Sequence, residues 1–321
     1  MQRSLPLLTM AGLLVALGCS SSTGLGRSSH PAGLIAGTLE LEGRPHGVSI
    51  APNGIFCVSQ IDAGSITCGS LGATSATLEE TIAVGAGSAP AHVALDPTGR
   101  FAYTANQFAA TVSVVDVQRG EVVETVPLGD GGFNVVADRA RTYVTTASGA
   151  LYVIDAETRQ AIAQLAVGAA ANGLALDTLD HVLYVSSIDA GTVTAINTNT
   201  YEVTGTYQVG AGAQRIALAP DRATLYVASM QSGAVVVDLA TGETSTIPGV
   251  PAGTVGLALS ADGARLYLTN PPRGTLQIVD ANARRVLTTF SGLGSPRNVA
   301  FSADGATALV TNEAGTVIVI R

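Results

Sequence analysis

Short apolar runs and polar turns repeat along this chain about every 40 residues. Each unit reads as an apolar strand, an Asp/Pro/Gly turn, a second strand ending in Thr, Asn or Ser, a short Gly turn, and a third strand ending in Asp. Val93-Ala94-Leu95-Asp96-Pro97-Thr98-Gly99 leading to Tyr103-Thr104-Ala105-Asn106 returns as Leu257-Ala258-Leu259-Ser260-Ala261-Asp262-Gly263 leading to Tyr267-Leu268-Thr269-Asn270. The closing Asp recurs as Asp116, Asp155, Asp238 and Asp280, with Asn197 in the remaining slot, at steps of 39, 42, 41 and 42 residues. A fixed period in this range, with all of the apolar signal in short strands, predicts a repeat architecture. Four strands per repeat predict an all-β propeller.

The first strands phase near Val48, Val93, Val135, Leu174, Ile216, Leu257 and Val299, which makes seven units. Residues 34–321 number 288, or about 41 per unit, an ordinary blade length. The seventh unit ends at Val317-Ile318-Val319-Ile320-Arg321, after its third strand. A spare strand stands before the first unit, Leu34-Ile35-Ala36-Gly37-Thr38-Leu39-Glu40-Leu41. The expected fold is a seven-bladed β-propeller in which this N-terminal strand completes the last blade and removes an open sheet edge.

Residues 1–18 read as a processing signal. Arg3 precedes an almost unbroken apolar run from Leu5 to Leu17, too short to span a bilayer as a stable helix, and the run ends in Gly18-Cys19-Ser20-Ser21-Ser22. This resembles a bacterial lipoprotein signal, with Ala16 where Leu is commonest. The resemblance implies cleavage before Cys19, lipidation of Cys19 and, from Ser20, delivery to the outer membrane. An ordinary secretory signal with an incidental Cys is the alternative. Residues 19–33 are rich in Ser and Gly and read as a flexible tether, leaving 34–321 as the propeller domain.

Tyr143-Val144-Thr145-Thr146, Leu225-Tyr226-Val227-Ala228-Ser229, Leu266-Tyr267-Leu268-Thr269-Asn270 and Leu309-Val310-Thr311-Asn312 resemble the YVTN-type β-propeller family, over about 45–321. The Ser-Ala-Asp-Gly turns at 260–263 and 302–305 strengthen the resemblance, as do Pro90 to Ala94 and Pro296 to Ala300. It implies the fold and says little of function. Members include surface-anchored proteins, and related seven-bladed propellers include lactonases. The chain has no Trp, which separates it from WD40 repeats and excludes a tryptophan-derived quinone.

Composition narrows the partners. All 16 basic residues are Arg, the net charge is −8, and removal of residues 1–18 takes away only Arg3 and leaves −9. No basic stripe exists, so nucleic acid is not an expected partner. Membrane contact is expected through a lipid anchor rather than through attraction to anionic headgroups. Cys57 and Cys68 flank a hairpin turn at Asp62-Ala63, equidistant from it, and an exported chain can oxidise such a pair. The alternative is two buried free thiols.

Propeller ligands gather where the innermost strands converge. The two positions before each first-strand apolar residue are His46-Gly47, Ala91-His92, Phe133-Asn134, Asn172-Gly173, Gln214-Arg215, Val255-Gly256 and Arg297-Asn298. Candidate ligand-binding residues are therefore His46, His92, Asn134, Asn172, Gln214, Arg215, Arg297 and Asn298. None of these positions carries a carboxylate, which disfavours a calcium-type centre and a carboxylate acid–base pair. His46 and His92 could serve as acid and base, but two histidines make an incomplete zinc site. No metal, cofactor or catalytic residue is assigned. The recurrent Asp residues are read as turn formers.

The expectation is a lipid-anchored cell-envelope propeller acting as a non-catalytic binding or interaction platform. Its partner would be an envelope protein or a small polar or anionic ligand. A lactonase- or lyase-like enzyme using the channel mouth is the alternative, and a supporting subunit of an envelope redox or transport complex is a third reading.

Overall fold

In a computed structural model that describes Pro31 and residues 33–321, the chain forms seven four-stranded antiparallel sheets arranged as blades. Cys19 and the proposed signal segment lie outside the described residues. Strand β1 (Ile35–Glu40) precedes the first blade, which is built from β2 (Pro45–Ile50), β3 (Ile55–Gln60), β4 (Ser65–Leu71) and β5 (Ala76–Ala83) in that order from the axis outwards. The later blades repeat this order, and the seventh takes β1 as its outermost strand.

β1 runs antiparallel to the last strand, Thr316–Ile320, pairing Leu39 with Val317 and Ile35 with Ile320. Leu34 and Arg321 exchange backbone hydrogen bonds of 2.9 Å at the far end of this pair. The Arg321 guanidinium then donates to the carbonyls of Ala73, Gly72 and Ser75 in the β4–β5 turn of the first blade. Both ends of the propeller are thereby tied to one seam.

The core is distributed over the seams between blades. Seven apolar clusters occur among the described residues, each drawn from two neighbouring blades. The Tyr of the second strand is the recurring filler: Tyr143 and Tyr267 are fully buried, and Tyr267 meets Phe301 of the next blade edge-on at 4.9 Å. Such pairs add to the stabilisation from burial alone.

Cys57 and Cys68 stand opposite each other on β3 and β4 and are joined by a disulfide. The turn between the strands spans residues 61–64, longer than two residues but centred on the same point.

The first strands begin about three residues earlier than the apolar phasing suggests. β2 pairs Pro45 with Gln60, then shifts register before Val48 meets Val58. The same irregularity recurs in five of the other blades. Such a bulge re-aims the side chains on its two positions, and these are the candidate positions of the central channel.

The Thr/Ser and Asn that end the second strand have distinct tasks. The penultimate hydroxyl accepts an amide from the first strand of its own blade: Ser59 from Gly47, Ser186 from Gly173, Thr269 from Gly256, Thr311 from Asn298. Several of these hydroxyls donate onward to a carbonyl of the next blade: Ser186 to Gln214, Thr269 to Arg297, and Thr311 to His46. The last residue caps the following turn, as Asn270 does for Arg273 and Asn312 for Ala314. Buried backbone groups at the axis are satisfied in this way without water.

Glycine at Gly47 and Gly256 follows from the same crowding. A Cβ at Gly47 would stand 2.7 Å from the His92 Cα, and one at Gly256 2.0 Å from the Arg297 carbonyl oxygen.

Candidate functional site

The bulge splits the candidate ring into two tiers. The first residue of each pair, His46, Ala91, Phe133, Asn172, Gln214, Val255 and Arg297, lines an open basin of about 540 Å³ at one mouth of the channel. The non-glycine second residues, His92, Asn134, Arg215 and Asn298, line a lower bore of about 220 Å³ walled by Val48, Val93, Val135 and Leu257. Arg215 and Asn298 border both spaces, so they form the bar between them. Sequence reasoning treated these residues as one ring. The register shift across these positions puts them on two levels.

His46 is held tightly. Its Nδ1 lies 2.6 Å from the Ala91 carbonyl oxygen, which can only accept, so Nδ1 carries the proton. Nε2 is then a lone pair, and it accepts from Arg297 Nε at 3.0 Å. Burial, followed by the charges of Arg297 and Arg215, holds the His46 pKa well below the usual histidine value. The imidazole is neutral, and both of its nitrogens are engaged. His92 is likewise pushed well below its ordinary value, by burial and then by Arg215 and His46. It is therefore neutral too, and its buried Nδ1 has no hydrogen-bond partner among the described residues.

The two arginines differ. Arg297 has a carboxylate nearby: Glu313 Oε1 is 3.8 Å from Arg297 Nε and 3.7 Å from His46 Nε2, and Ser295 Oγ donates to its other oxygen at 3.1 Å. Arg215 donates through Nε to Asn298 Oδ1 at 2.9 Å, while its buried Nη1 finds no partner among the described residues. Burial and the charge of Arg297 push the Arg215 pKa down to about 9, so the side chain stays cationic at neutral pH. Asn298 completes the bar by donating to the His46 carbonyl at 2.7 Å, and on the other side Asn172 donates to Gln214 at 2.9 Å.

Sequence reasoning missed the rim. Gln107, Ile188, Met230, Pro271 and Pro272 also line the basin. Each lies in the turn after a second strand, and Glu313 stands at the same place in the seventh blade. The signal was present as the residue after each Thr/Asn/Ser pair: Ile61, Gln107, Ala147, Ile188, Met230, Pro271, Glu313. Although the ring positions carry no carboxylate, Glu313 brings one to the mouth from the rim.

The recurrent carboxylates lie at the other end of the channel and act locally. Asp155 accepts the amides of Glu157 and Thr158, Asp238 those of Ala240 and Thr241, and Asn197 those of Asn199 and Thr200. Backbone hydrogen bonds, first from Thr158 and Thr241 respectively, hold Asp155 and Asp238 below the ordinary carboxylate pKa. No cluster of three or more His, Cys, Asp or Glu residues suited to a metal ion occurs among the described residues.

The fold and the two-tiered channel define a seven-bladed propeller with an axial basin of mixed polar and apolar lining, and comparisons agree on the fold. The family model described as "Lactonase, 7-bladed beta-propeller" matches residues 40–153, about a third of the chain. No curated protein matches. Among solved structures, Kuenenia stuttgartiensis hydrazine synthase superposes with a TM-score of 0.79 at 17% identity, over 88% of this chain and 96% of that chain. At that identity the likeness is one of fold alone.

Proposed function

We propose that this chain is a non-catalytic binding propeller of the cell envelope that takes a small anion in its axial basin. The observation that carries this reading is Arg215. A guanidinium beside a second guanidinium, with a buried donor unspent, makes a ready receptor for a carboxylate or phosphate oxygen. His46 has no free nitrogen for proton transfer, which favours binding over acid–base chemistry at this point.

The envelope placement rests on the lipoprotein-like Gly18-Cys19-Ser20 signal and the tether that follows it. Lipidation of Cys19 and outer-membrane delivery belong to the proposal, as does membership of the YVTN-type family. The hydrogen-bonding tasks of Thr269-Asn270 and Thr311-Asn312 support the latter. The topology adds an orientation. Glu40 pairs with Thr316 beside the Glu313 turn at the mouth, whereas Ile35 and Arg321 lie at the opposite end of the same strands. A tether leading back from residue 34 therefore leaves from the face opposite the basin. On this reading an anchored molecule presents its basin away from the lipid.

Lactonase-like hydrolysis is a second reading, favoured by the partial family match, whose span includes His46, His92 and Asn134. In it the arginines would polarise a lactone carbonyl and Glu313 would receive a proton from water.

Thermal-shift and calorimetric titration with gluconate, acetate and inorganic phosphate test the anion reading. Arg215→Ala/Arg297→Ala should weaken binding by at least about tenfold, the loss expected when charge-assisted hydrogen bonds are removed. Binding that survives the double variant overturns it. Turnover of a δ-lactone that is abolished by Glu313→Gln would replace it with the enzymatic reading. Cys19→Ser should move the protein from the membrane to the soluble fraction, and unchanged fractionation would refute the anchor.

A further inference from the structure

The basin is not uniformly polar, and its asymmetry narrows the ligand class. This inference rests on the anion reading above. The cationic pair Arg215 and Arg297 lies below the rim. On the rim, three consecutive blades present Ile188, Met230, Pro271 and Pro272, while Val255 and Phe133 stand lower on the wall. None of these six side chains can donate or accept a conventional hydrogen bond. Met230 is 47% exposed, a large apolar side chain left open to water beside a charged floor.

A sugar acid suits this arrangement poorly. Its hydroxyls would be brought against Ile, Met and Pro side chains and would lose water without gaining partners, which costs more than a hydrogen bond gains. The amides on the floor are partly spent as well, since Asn172 donates to Gln214 and Asn298 both accepts from Arg215 and donates to the His46 carbonyl. An apolar body, by contrast, gains from covering the rim.

The charge count sets the head. Arg297 has Glu313 within 3.8 Å, and Arg215 has no ion-pair partner among the described residues. His46 and His92 are neutral. One positive charge is left uncompensated at the bar, which matches one negative charge rather than two.

We propose that the basin binds a single-headed monoanion with an apolar body, such as an aliphatic carboxylate. Its head reaches the Arg215–Arg297 pair and its chain lies against the rim of the fourth to sixth blades. A volume of about 540 Å³ is within the usual range of small-molecule sites.

The test is calorimetric titration of the exported chain as its Cys19→Ser variant, which needs no detergent, with acetate, butyrate, hexanoate, octanoate, gluconate and hexanol. Affinity should rise about two- to fourfold per added methylene, as expected for chain buried against apolar side chains. Hexanoate should bind at least about tenfold more tightly than gluconate, which carries the same charge on the same number of carbons. Hexanol should bind far more weakly than hexanoate. Met230→Gln and Ile188→Thr, both on the rim, should flatten the chain-length series while leaving acetate unchanged. Arg215→Ala/Arg297→Ala should abolish the whole series.

Gluconate binding as tightly as hexanoate, with both lost in the arginine variant, overturns this inference and leaves the anion reading standing. A chain-length series that the two rim variants leave intact also overturns it, because the chain would then lie elsewhere. Failure of every carboxylate while inorganic phosphate binds, or hexanol equal to hexanoate, overturns this inference alone; failure of inorganic phosphate as well overturns the anion reading with it.

Discussion

The two faces of the propeller are built from the same repeat and spend their polar groups in opposite ways. On the face away from the basin, the carboxylates that end the third strands accept local amides, and Asp116 also meets Arg100 at 3.4 Å and Arg119 at 3.9 Å. Charge there is consumed by turn amides and by arginines of the same or the adjacent blade, such as Arg222 beside Asp177 and Asp180. At the mouth, Arg215 and Arg297 come from two blades and His46 from a third, with one carboxylate between them. Five of the seven third strands end on the first face in the recurrent Asp or Asn, while the charged residues of the mouth follow no repeat. A residue that recurs blade after blade serves the blade, and functional chemistry is to be sought where the repeat is broken.

The largest expected effect is on what the two faces share, the ring itself. β1 runs from one face to the other and completes the seventh blade. Removing residues 19–42 should strip that blade of its outermost strand, expose the edge of the last strand and leave the protein aggregated or unfolded at temperatures the intact chain tolerates. Removing 19–33 alone should leave the melting temperature nearly unchanged. Equal melting of the two truncations would show that the ring closes without β1.

Next comes pH, which should act through the mouth. His46 and His92 both have folded pKa values well below the unfolded value of about 6.5. The unfolded chain therefore binds protons that the folded chain refuses. Stability is full above pH 6.5 and falls as the pH drops below it, at up to about 1.4 kcal/mol per pH unit for each histidine. His92→Gln should remove one histidine's share of the slope between pH 6.5 and 5. Denaturant unfolding across that range measures it, and a slope unchanged by the substitution would place the acid sensitivity elsewhere.

Arg215→Met sharpens the contrast in a different currency. Replacing a buried charge that lacks a counter-charge with an apolar side chain of similar length should leave ligand-free stability equal or raise it by about 1–2 kcal/mol, while anion binding is lost. Arg100, exposed and paired with Asp116 on the other face, should give neither effect when changed to Met. A destabilised Arg215→Met protein would mean that the guanidinium serves the fold.

The difference between the faces also explains what could be read from the chain. Blade number, strand order, the closing strand and the Cys57–Cys68 register are local or periodic, so one unit predicts the next. The two-level channel follows from a bulge that apolar phasing does not register, because Val48 is visible in the pattern while the pairing of Pro45 with Gln60 is not. The His46–Arg297–Glu313 group was less legible still. His46 lies about 250 residues from the other two in the chain, and Glu313 occupies a rim position that other blades fill with Ile, Met, Pro, Gln or Ala.

The smallest effect is expected where the repeat is purest, and the fourth blade already shows the outcome. Asn197 stands where other blades have Asp and accepts the amides of Asn199 and Thr200 at 2.8 and 3.0 Å. Asp238 accepts those of Ala240 and Thr241 at 2.9 and 3.0 Å. The turn therefore needs an acceptor oxygen first, and the charge adds a smaller contribution. Asp238→Asn should lower the melting temperature at pH 7 only slightly, whereas Asp238→Ala, which removes the acceptor, should lower it more. The two also differ in acid. The Asp238 pKa is held below its ordinary value by the Thr241 and Ala240 amides, so its stabilisation is present above the unfolded carboxylate pKa and is lost as the pH falls through the folded one. In the Asn variant that contribution should be independent of pH. If Asp238→Asn is as damaging as Asp238→Ala, the carboxylates of this face do more than shape turns, and the contrast between the two faces would fail.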